Sequence, residues 1–489
     1  MKHCLCLLAL CLAAAVASPA HAGGGYYTGA KGARAAGRAG AFAVKADDLS
    51  AVALNPAGLC RLDTTLVHGG NRFSYNAHVF TRAPTLDWGN LEGGVPPYVE
   101  FATVRNQRPW QLLDPLLGVA SNLGLRDWGF ALAAYAPAGI AEQEYPVDGG
   151  QRYMMVSREV MMLNYTASAA WKYRELFGVG ATLQWIHVPR LTYALVIDAA
   201  PFPGDAHPVS SELDMHATVT GSDPFTFNAI LGTWYRPAPF LELGVSGQVI
   251  PTQIRTHSTL AIEPLNREIV DEVELTRDGK RANDVSVSLP LPLTARVGVR
   301  YRHLQEQREV FDVELDVGYE SWSRVERFTL DTDGLTASLL EQEVDIGVIQ
   351  IEKHWRDTVS VQVGGDYAVV PRWLTLRSGL FYDSAVADRG YAHVDFANGQ
   401  QLGGALGASV FVQDLEVALA YEYRHQPTVR VSERQARVYQ EVPGSSCQPP
   451  FTDPDTCHEQ YLGQPAPAVN AGSYRAHSHI ASLDLLYRF

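Results

Sequence analysis

The sequence predicts an all-β fold: a transmembrane antiparallel β-barrel of about fourteen strands, with an N-terminal plug, or hatch, in its lumen. Three observations carry that expectation. The chain opens on a stretch with the three parts of an export signal. No apolar run after it is long enough for a membrane helix. Segment after segment then alternates greasy and charged residues with a period of two. A water-soluble chain of 489 residues should show helical periodicity and a domain boundary, and this one shows neither. Barrel strands point alternate residues at lipid and lumen, so their composition averages out as mildly polar.

Residues 1–22 read as the signal. Lys2 and His3 form its polar lead, Leu5 to Val16 its apolar run, and Ala20-His21-Ala22 a site that predicts cleavage before Gly23. Leu10 before Cys11 is a poor fit to the small residue that lipoprotein processing prefers. The formal charge is −14, and cleavage removes Lys2 and no acid, which argues against nucleic acid as a partner. Cys4, Cys6 and Cys11 leave with the signal. Cys447 and Cys457 lie ten apart in a segment rich in Pro, Gly and Ser, and are expected to form a loop disulfide. Cys60 is then an odd thiol, read as a small apolar residue. No CxxC or HxxxH spacing accompanies the cysteines, so neither metal nor cofactor is expected.

Residues 23–63 are expected to be the plug. From Gly32 to Asp63 they read GARAAGRAGAFAVKADDLSAVALNPAGLCRLD, with Ala and Gly for close backbone packing and an acidic pair, Asp47 and Asp48. Asn55-Pro56-Ala57-Gly58 follows as a turn. Pro56 fixes φ, Gly58 permits positive φ, and Asn55 can bond its own backbone. An Ala-rich amphipathic helix and loop would be the bland alternative; a compact segment ahead of barrel strands belongs inside the barrel.

Residues 64–489 are expected to be the barrel. In Leu415 to Arg424 the odd positions are Leu, Val, Leu, Tyr and Tyr, and the even ones Glu, Ala, Ala, Glu and Arg. Phe311 to Glu320 and Ser482 to Phe489 repeat the pattern, with Tyr at strand ends as an interfacial girdle requires. Strands are expected near 64–80, 96–106, 127–140, 154–173, 177–197, 222–236, 240–262, 284–302, 308–328, 353–370, 372–386, 400–412, 415–433 and 473–489. Short links alternate with long ones, as periplasmic turns alternate with extracellular loops. Arg108 to Leu125 is the exception, a long stretch on the periplasmic side in which Leu112–Leu117 could form a short amphipathic helix. The turn at His303–Arg308 is expected to set Arg300 near Asp312 and Arg296 near Asp316, pairs that chiefly satisfy lumen charge. No Ser-His-Asp or paired-carboxylate arrangement announces an enzyme.

AGRAGAFAVKADDLSAVALNPAGL resembles the N-terminal plug of the outer-membrane long-chain fatty-acid and hydrocarbon transporter family (FadL/TodX type). Leu289 to Leu330, and His354 to Tyr382 (HWRDTVSVQVGGDYAVVPRWLTLRSGLFY), are similar to strands of the same family. The resemblance runs from about Gly32 to Phe489 and thins in the long loops. It implies a bacterial outer-membrane protein that takes up long-chain fatty acids or related hydrocarbons. A loop-fringed pocket captures the ligand, a lumen site beside the plug binds it, and a kinked third strand releases it sideways into the membrane. The third strand here is expected at Trp128 to Ile140 and contains Pro137 and Gly139, which mark either a lateral opening or merely the strand's end at the outer rim. Arg158 and Arg190 are candidates for a ligand carboxylate, although the local sequence at Pro189-Arg190 departs from the family pattern. The implied partners are a hydrophobic small molecule, outer-membrane lipid, and the insertion machinery reading Phe489; the chain is expected to be a monomer. The alternative is a barrel of the same family that docks a partner and transports nothing.

Overall fold

The computed structural model describes residues 31–86, 98–137, 142–198, 213–339, 342–396, 398–439 and 468–489. The signal, Gly139, Cys447 and Cys457 lie outside them. The strands follow one another round a closed antiparallel barrel of fourteen. They are β1 (Leu66–Arg82), β2 (in pieces Val104–Arg105, Trp110–Gln111 and Pro115–Ser121), β3 (Trp128–Tyr135, resuming at Gln143–Glu144), β4 (Ser157–Tyr173), β5 (Phe177–Asp198) and β6 (Asp214–Ala238). Next come β7 (Leu241–Gln248 and Gln253–Pro264), β8 (Asp284–Pro290 and Thr294–Gln305), β9 (Arg308–Glu320 and Arg327–Asp331) and β10 (Val348–Glu352 and Thr358–Val370). The last four are β11 (Leu374–Asp383), β12 (Gln401–Val412), β13 (Leu415–Val431) and β14 (Gly472–Arg488). β14 closes the ring on β1 without a break in register, from Leu66↔Arg488 to Arg82↔Gly472.

The period of two sorts the faces as the alternation requires. On β13 Leu419, Tyr421 and Tyr423 are exposed to the outside, while Glu416, Ala418, Glu422 and Arg424 are buried within. On β9 Val313, Val317 and Tyr319 face out and Asp312, Glu314 and Asp316 face in. The Phe489 amide donates to the Thr65 carbonyl at 2.9 Å, so both ends of the barrel chain meet at one rim. The two- and three-residue links at that rim use left-handed backbone at Arg174, Arg372 and Gln413. In an outer-membrane barrel this is the periplasmic rim, and the long loops at the other rim are extracellular.

Two expectations need correcting. Arg108 to Leu125 is not helical, and only its last residues, 122–125, turn at the periplasmic rim: half of it belongs to β2, whose Pro115–Ser121 piece pairs Leu66–Asn71 on one side and Phe130–Tyr135 on the other. Pro109 and Pro115 each lack an N–H for the ladder, which is why the strand is broken and its alternation weak. Arg300 does bind Asp312, at 2.8 Å. Asp316 has another use: its Oδ2 accepts from the Phe42 and Ala43 amides at 2.9 and 2.8 Å, and Arg296 lies opposite Gly318.

Candidate functional site

Residues 31–63 fold into two single-turn helices, α1 (Ala33–Ala36) and α2 (Ala51–Leu54), and a 3-10 turn at Pro56–Arg61. Nearly every side chain in them is buried. They bond to inward-facing groups on β6, β7, β9, β10, β13 and β14 and at Asp114. Arg38 is the anchor. Its guanidinium donates to Asp312 at 2.6 Å, Asp366 at 2.7 Å, Glu314 at 3.0 Å and the Ala41 carbonyl at 2.7 Å. Burial opposes a charge there, but Asp312, Asp366 and Glu314 outweigh it and raise the Arg38 pKa further. Lys45 shares Asp312 and Asp366 at 2.7 and 2.9 Å. Lys31 reaches Asp114 at 2.6 Å, and the Ala33 amide reaches Asp484 at 2.6 Å. The wall has glycine where this backbone touches it: a Cβ on Gly180 would meet the Ala57 nitrogen at 2.5 Å, and one on Gly379 the Arg38 oxygen at 2.3 Å.

The acidic pair serves the segment itself. Asp48 accepts from Arg34 at 3.1 Å and from the Ser50 amide at 2.9 Å, and Asp47 pairs with Arg34 at 2.8 Å. Arg34 depresses the Asp47 pKa against the effect of burial. Asn55 staples the turn: Nδ2 donates to the Ala43 and Thr233 carbonyls at 2.8 and 3.1 Å, and Oδ1 accepts from the Ala57 amide at 3.2 Å. Pro56 starts the 3-10 turn, where a missing N–H costs nothing. The Ala57 carbonyl accepts from Trp234 Nε1 at 3.0 Å and from the buried Cys60 thiol at 2.9 Å. Gly58 is needed for a reason other than positive φ. Its φ is not positive, and a Cβ there would lie 2.0 Å from the Ala46 oxygen.

β3 and β4 are among the strands that take no such bond. Among the described residues no hydrogen bond joins 31–63 to β3 or β4; the contact is apolar, with Leu59, Cys60, Ala57 and Val52 clustered with Ala131, Ala133, Tyr135 and Ala170. That contact lies on the paired part of the ladder, where Ala131 stands opposite Ser168 and Ala133 opposite Thr166. Among the described residues, pairing of β3 with β4 runs as far as Tyr135↔Asn164 and is next found at Gln143↔Arg158, with Ala136 and Pro137 outside it. Pro137 is buried.

Toward the extracellular side lies an apolar cavity with about 770 Å³ of space free of atoms, part of it open to solvent. Val160, Leu191, Val219, Leu289, Phe328 and Phe396 are among its walls. Val160 lies on β4 between Arg158 and Asn164. Arg158 is the one charged residue in the lining. Its Nη2 donates to Gln143 at 3.0 Å and its guanidinium lies 4.1 Å from the Phe396 ring centroid. Arg190 is elsewhere: the register shift between His187 and Arg190 leaves it exposed, paired with Glu159 at 3.3 Å. Sequence reasoning missed Phe328 and Phe396, and missed the buried Lys353 against Phe328, held by Asp395 at 2.6 Å. No local spacing signals residues that meet only across the barrel.

The structure is a closed fourteen-stranded barrel that holds residues 31–63 against its inward-facing groups and has an apolar cavity in its wall. The family described as outer membrane protein transport protein (OMPP1/FadL/TodX) matches residues 13–448, and the chain belongs to it. It is thus a bacterial outer-membrane protein of a transport family. Among solved structures it is similar to a Pseudomonas aeruginosa FadL homologue, with 15% identity, a TM-score of 0.73, and coverage of 95% of this chain and 100% of that one. The P. putida toluene transporter TodX follows at 14%, TM-score 0.60, covering 94% and 99%. The Ralstonia pickettii toluene transporter TbuX gives 12%, TM-score 0.59, and 94% and 98%. A comparison with curated proteins returned no match.

Proposed function

We propose that this chain imports hydrophobic compounds, long-chain fatty acids or related hydrocarbons, by capture at the extracellular loops, binding in the apolar cavity, and lateral exit through the wall at Pro137 in β3. On this reading residues 1–22 are removed as a signal, 23–63 form the plug, and 64–489 the barrel. The observation that carries the reading is the coincidence of two features at one place. An apolar cavity borders Val160 on β4, and on the neighbouring strand Ala136 and Pro137 of β3 lie outside the ladder. A greasy ligand leaving there avoids the water-filled lumen, and each methylene kept out of water is worth about 0.8 kcal/mol. Asn55, Pro56, Ala57 and Gly58, with Asp47 and Asp48 behind them, hold the turn that would gate release; it packs against Gly180 on β5 and Gly232 on β6. Arg158 is the group able to receive a carboxylate; the outward-facing Arg190 has no part in that role.

The test is uptake of palmitate and of hexadecane by cells carrying the full-length protein. Replacing both Pro137 and Gly139 with Val, which restores ladder-compatible residues, should leave a folded barrel that takes up neither compound. Asn55→Ala should change transport more than stability. Arg158→Met should lower palmitate uptake more than hexadecane uptake. If the Pro137/Gly139 variant folds and transports at the wild-type rate, the lateral route is wrong. If the wild type takes up nothing and instead co-purifies with a protein partner, the barrel docks and does not transport.

A further inference from the structure

The outer surface at the extracellular rim is uneven in charge. Several outward or rim arginines have an acid beside them: Arg190 with Glu159 at 3.3 Å, Arg327 with Glu352 at 3.3 Å, Arg277 with Asp284 at 2.7 Å. The sector made by β13, β14, β1 and β2 differs. Arg430, Arg475 and Arg105 are all exposed there, and among the described residues none is in an ion pair or side-chain hydrogen bond. Register brings them together. Arg430 lies opposite Ser473, Arg475 opposite Val79, and Val79 in turn opposite Arg105.

Beneath the arginines is a shelf of rings. His425 lies opposite His477, Tyr423 opposite His479, and Tyr75 opposite both His479 and Trp110. Their rings touch in series: Tyr423 to His479 at 5.1 Å, His479 to His477 at 5.6 Å, Tyr75 to Trp110 at 5.0 Å. Below the shelf the same face is aliphatic, with Leu406, Leu419 and Leu483 exposed, as lipid contact requires. Its periplasmic edge carries Tyr487 and Phe489.

Depth follows from strand geometry. A strand rising ~3.4 Å per residue and tilted about 40° climbs roughly 35 Å between Arg475 and Phe489, against an apolar band ~25 Å tall. The arginines therefore stand just outside the hydrocarbon, at the level of the outer leaflet's headgroups, and the ring shelf sits at its boundary. Three guanidiniums clustered with no acid paired to them among the described residues, above rings and an aliphatic wall, match a ligand with acyl chains below and phosphate above.

We propose that this sector binds a phosphate-bearing lipid of the outer leaflet, with Arg105, Arg430 and Arg475 on its phosphate and with Tyr75, Trp110 and Tyr423 against the upper part of its acyl chains. The site lies on the outer wall, apart from the transport path, and does not depend on what the barrel carries.

The experiment is native mass spectrometry of the detergent-purified mature barrel, titrated with bis-phosphorylated lipid A, with phosphatidylcholine, and with inorganic phosphate. The wild type should retain lipid A in preference to both others. Replacing Arg105, Arg430 and Arg475 with Gln should weaken lipid A binding about a hundredfold, about fivefold per guanidinium. Arg190→Gln together with Arg327→Gln, which removes two paired arginines of the same rim, should leave binding unchanged. If the triple variant does not fold, as judged by heat-modifiable gel mobility, Arg475→Gln alone is read for its fivefold loss. Equal binding by wild type and variant, an equal loss in the paired-arginine control, or phosphate held as tightly as lipid A would each overturn the proposal.

Discussion

Arg38→Met is the sharpest perturbation of the way residues 31–63 are held. Arg38 is wholly buried, and three carboxylates converge on it. When it is removed, Asp312 keeps Lys45 and Arg300, and Asp366 keeps Lys45 and Arg377. Glu314 loses its one salt-bridge partner among the described residues and is left with the Val44 and Lys45 amides, at 2.6 and 3.2 Å. Removing one member of a buried ion cluster costs about 3–5 kcal/mol, because the opposite charge stays buried without compensation. The barrel ladder does not depend on Arg38, so the loss should fall on seating of the segment. An undocked fraction should rise by a factor of about a hundred to a few thousand, at 1.4 kcal/mol per tenfold. Hydrogen exchange in detergent reads this directly: amides of 33–61 should lose protection by that factor while those of β9 and β13 keep theirs. Adding Glu314→Gln to Arg38→Met should recover part of the loss, since the stranded charge is then gone. Unchanged protection in 33–61, or uniform loss across the barrel, would refute the reasoning.

Two further predictions concern the segment's edge and the cysteines. Lys31 is pulled down to about 8 from an ordinary 10.5, chiefly by burial, with Asp114 acting against the shift and Arg72 adding to it. The unseated chain holds the extra proton between those values, so seating should strengthen as pH rises from about 8 to about 10.5 and be flat below that window. Protection of 31–63 from a protease should follow that course in the wild type and lose it in Lys31→Met; a rise of the same size in both would discard the assignment. We propose that Cys447 and Cys457 are bridged, closing a loop of about ten residues worth on the order of 2–3 kcal/mol. Thiol labelling of unreduced protein should then find one site at most, the buried Cys60; three labelled sites would exclude the bridge.

The strands were legible because each carries its own period of two, and Leu415 to Arg424 can be assigned from ten residues alone. β2 was less legible because prolines at 109 and 115 divide it into short pieces, none long enough to show alternation. The contacts of the plug segment were beyond reach for another reason. Arg38 and Asp312 are 274 positions apart, and Arg38 and Asp366 are 328 apart. An Arg in an Ala-Gly segment and acids on the polar face of a strand are each ordinary, and only closure of the barrel brings them together. Gly58 shows the limit at a single residue: its place in a turn suggested positive φ, whereas the structure uses it for close approach to Ala46. Arg158 and Arg190 looked equivalent in sequence, and the bulge around Pro189 sends only one of them inward.

The distribution of bonds across the plug segment bears on how it could move. Ion pairs tie it to β9, β10, β13 and the Asp114 side of β2, and neutral hydrogen bonds tie its turn to β6 and β7, through Thr233, Trp234 and Ser246. Toward β3 and β4 it has only small apolar side chains. Pulling an ion pair apart inside the barrel strands charge and costs several kcal/mol, whereas parting Leu59 from Ala131 and Ala133 costs the re-exposure of a small apolar area, about 25 cal/mol per Å². A ligand that fills the space between them offsets even that, because apolar surface then stays covered. Separation from Ala131 and Ala133, which stand in the paired part of β3, is therefore cheaper than separation from β9 or β10. Among the described residues, no hydrogen bond between residues 31–63 and β3 or β4 has to break for that movement.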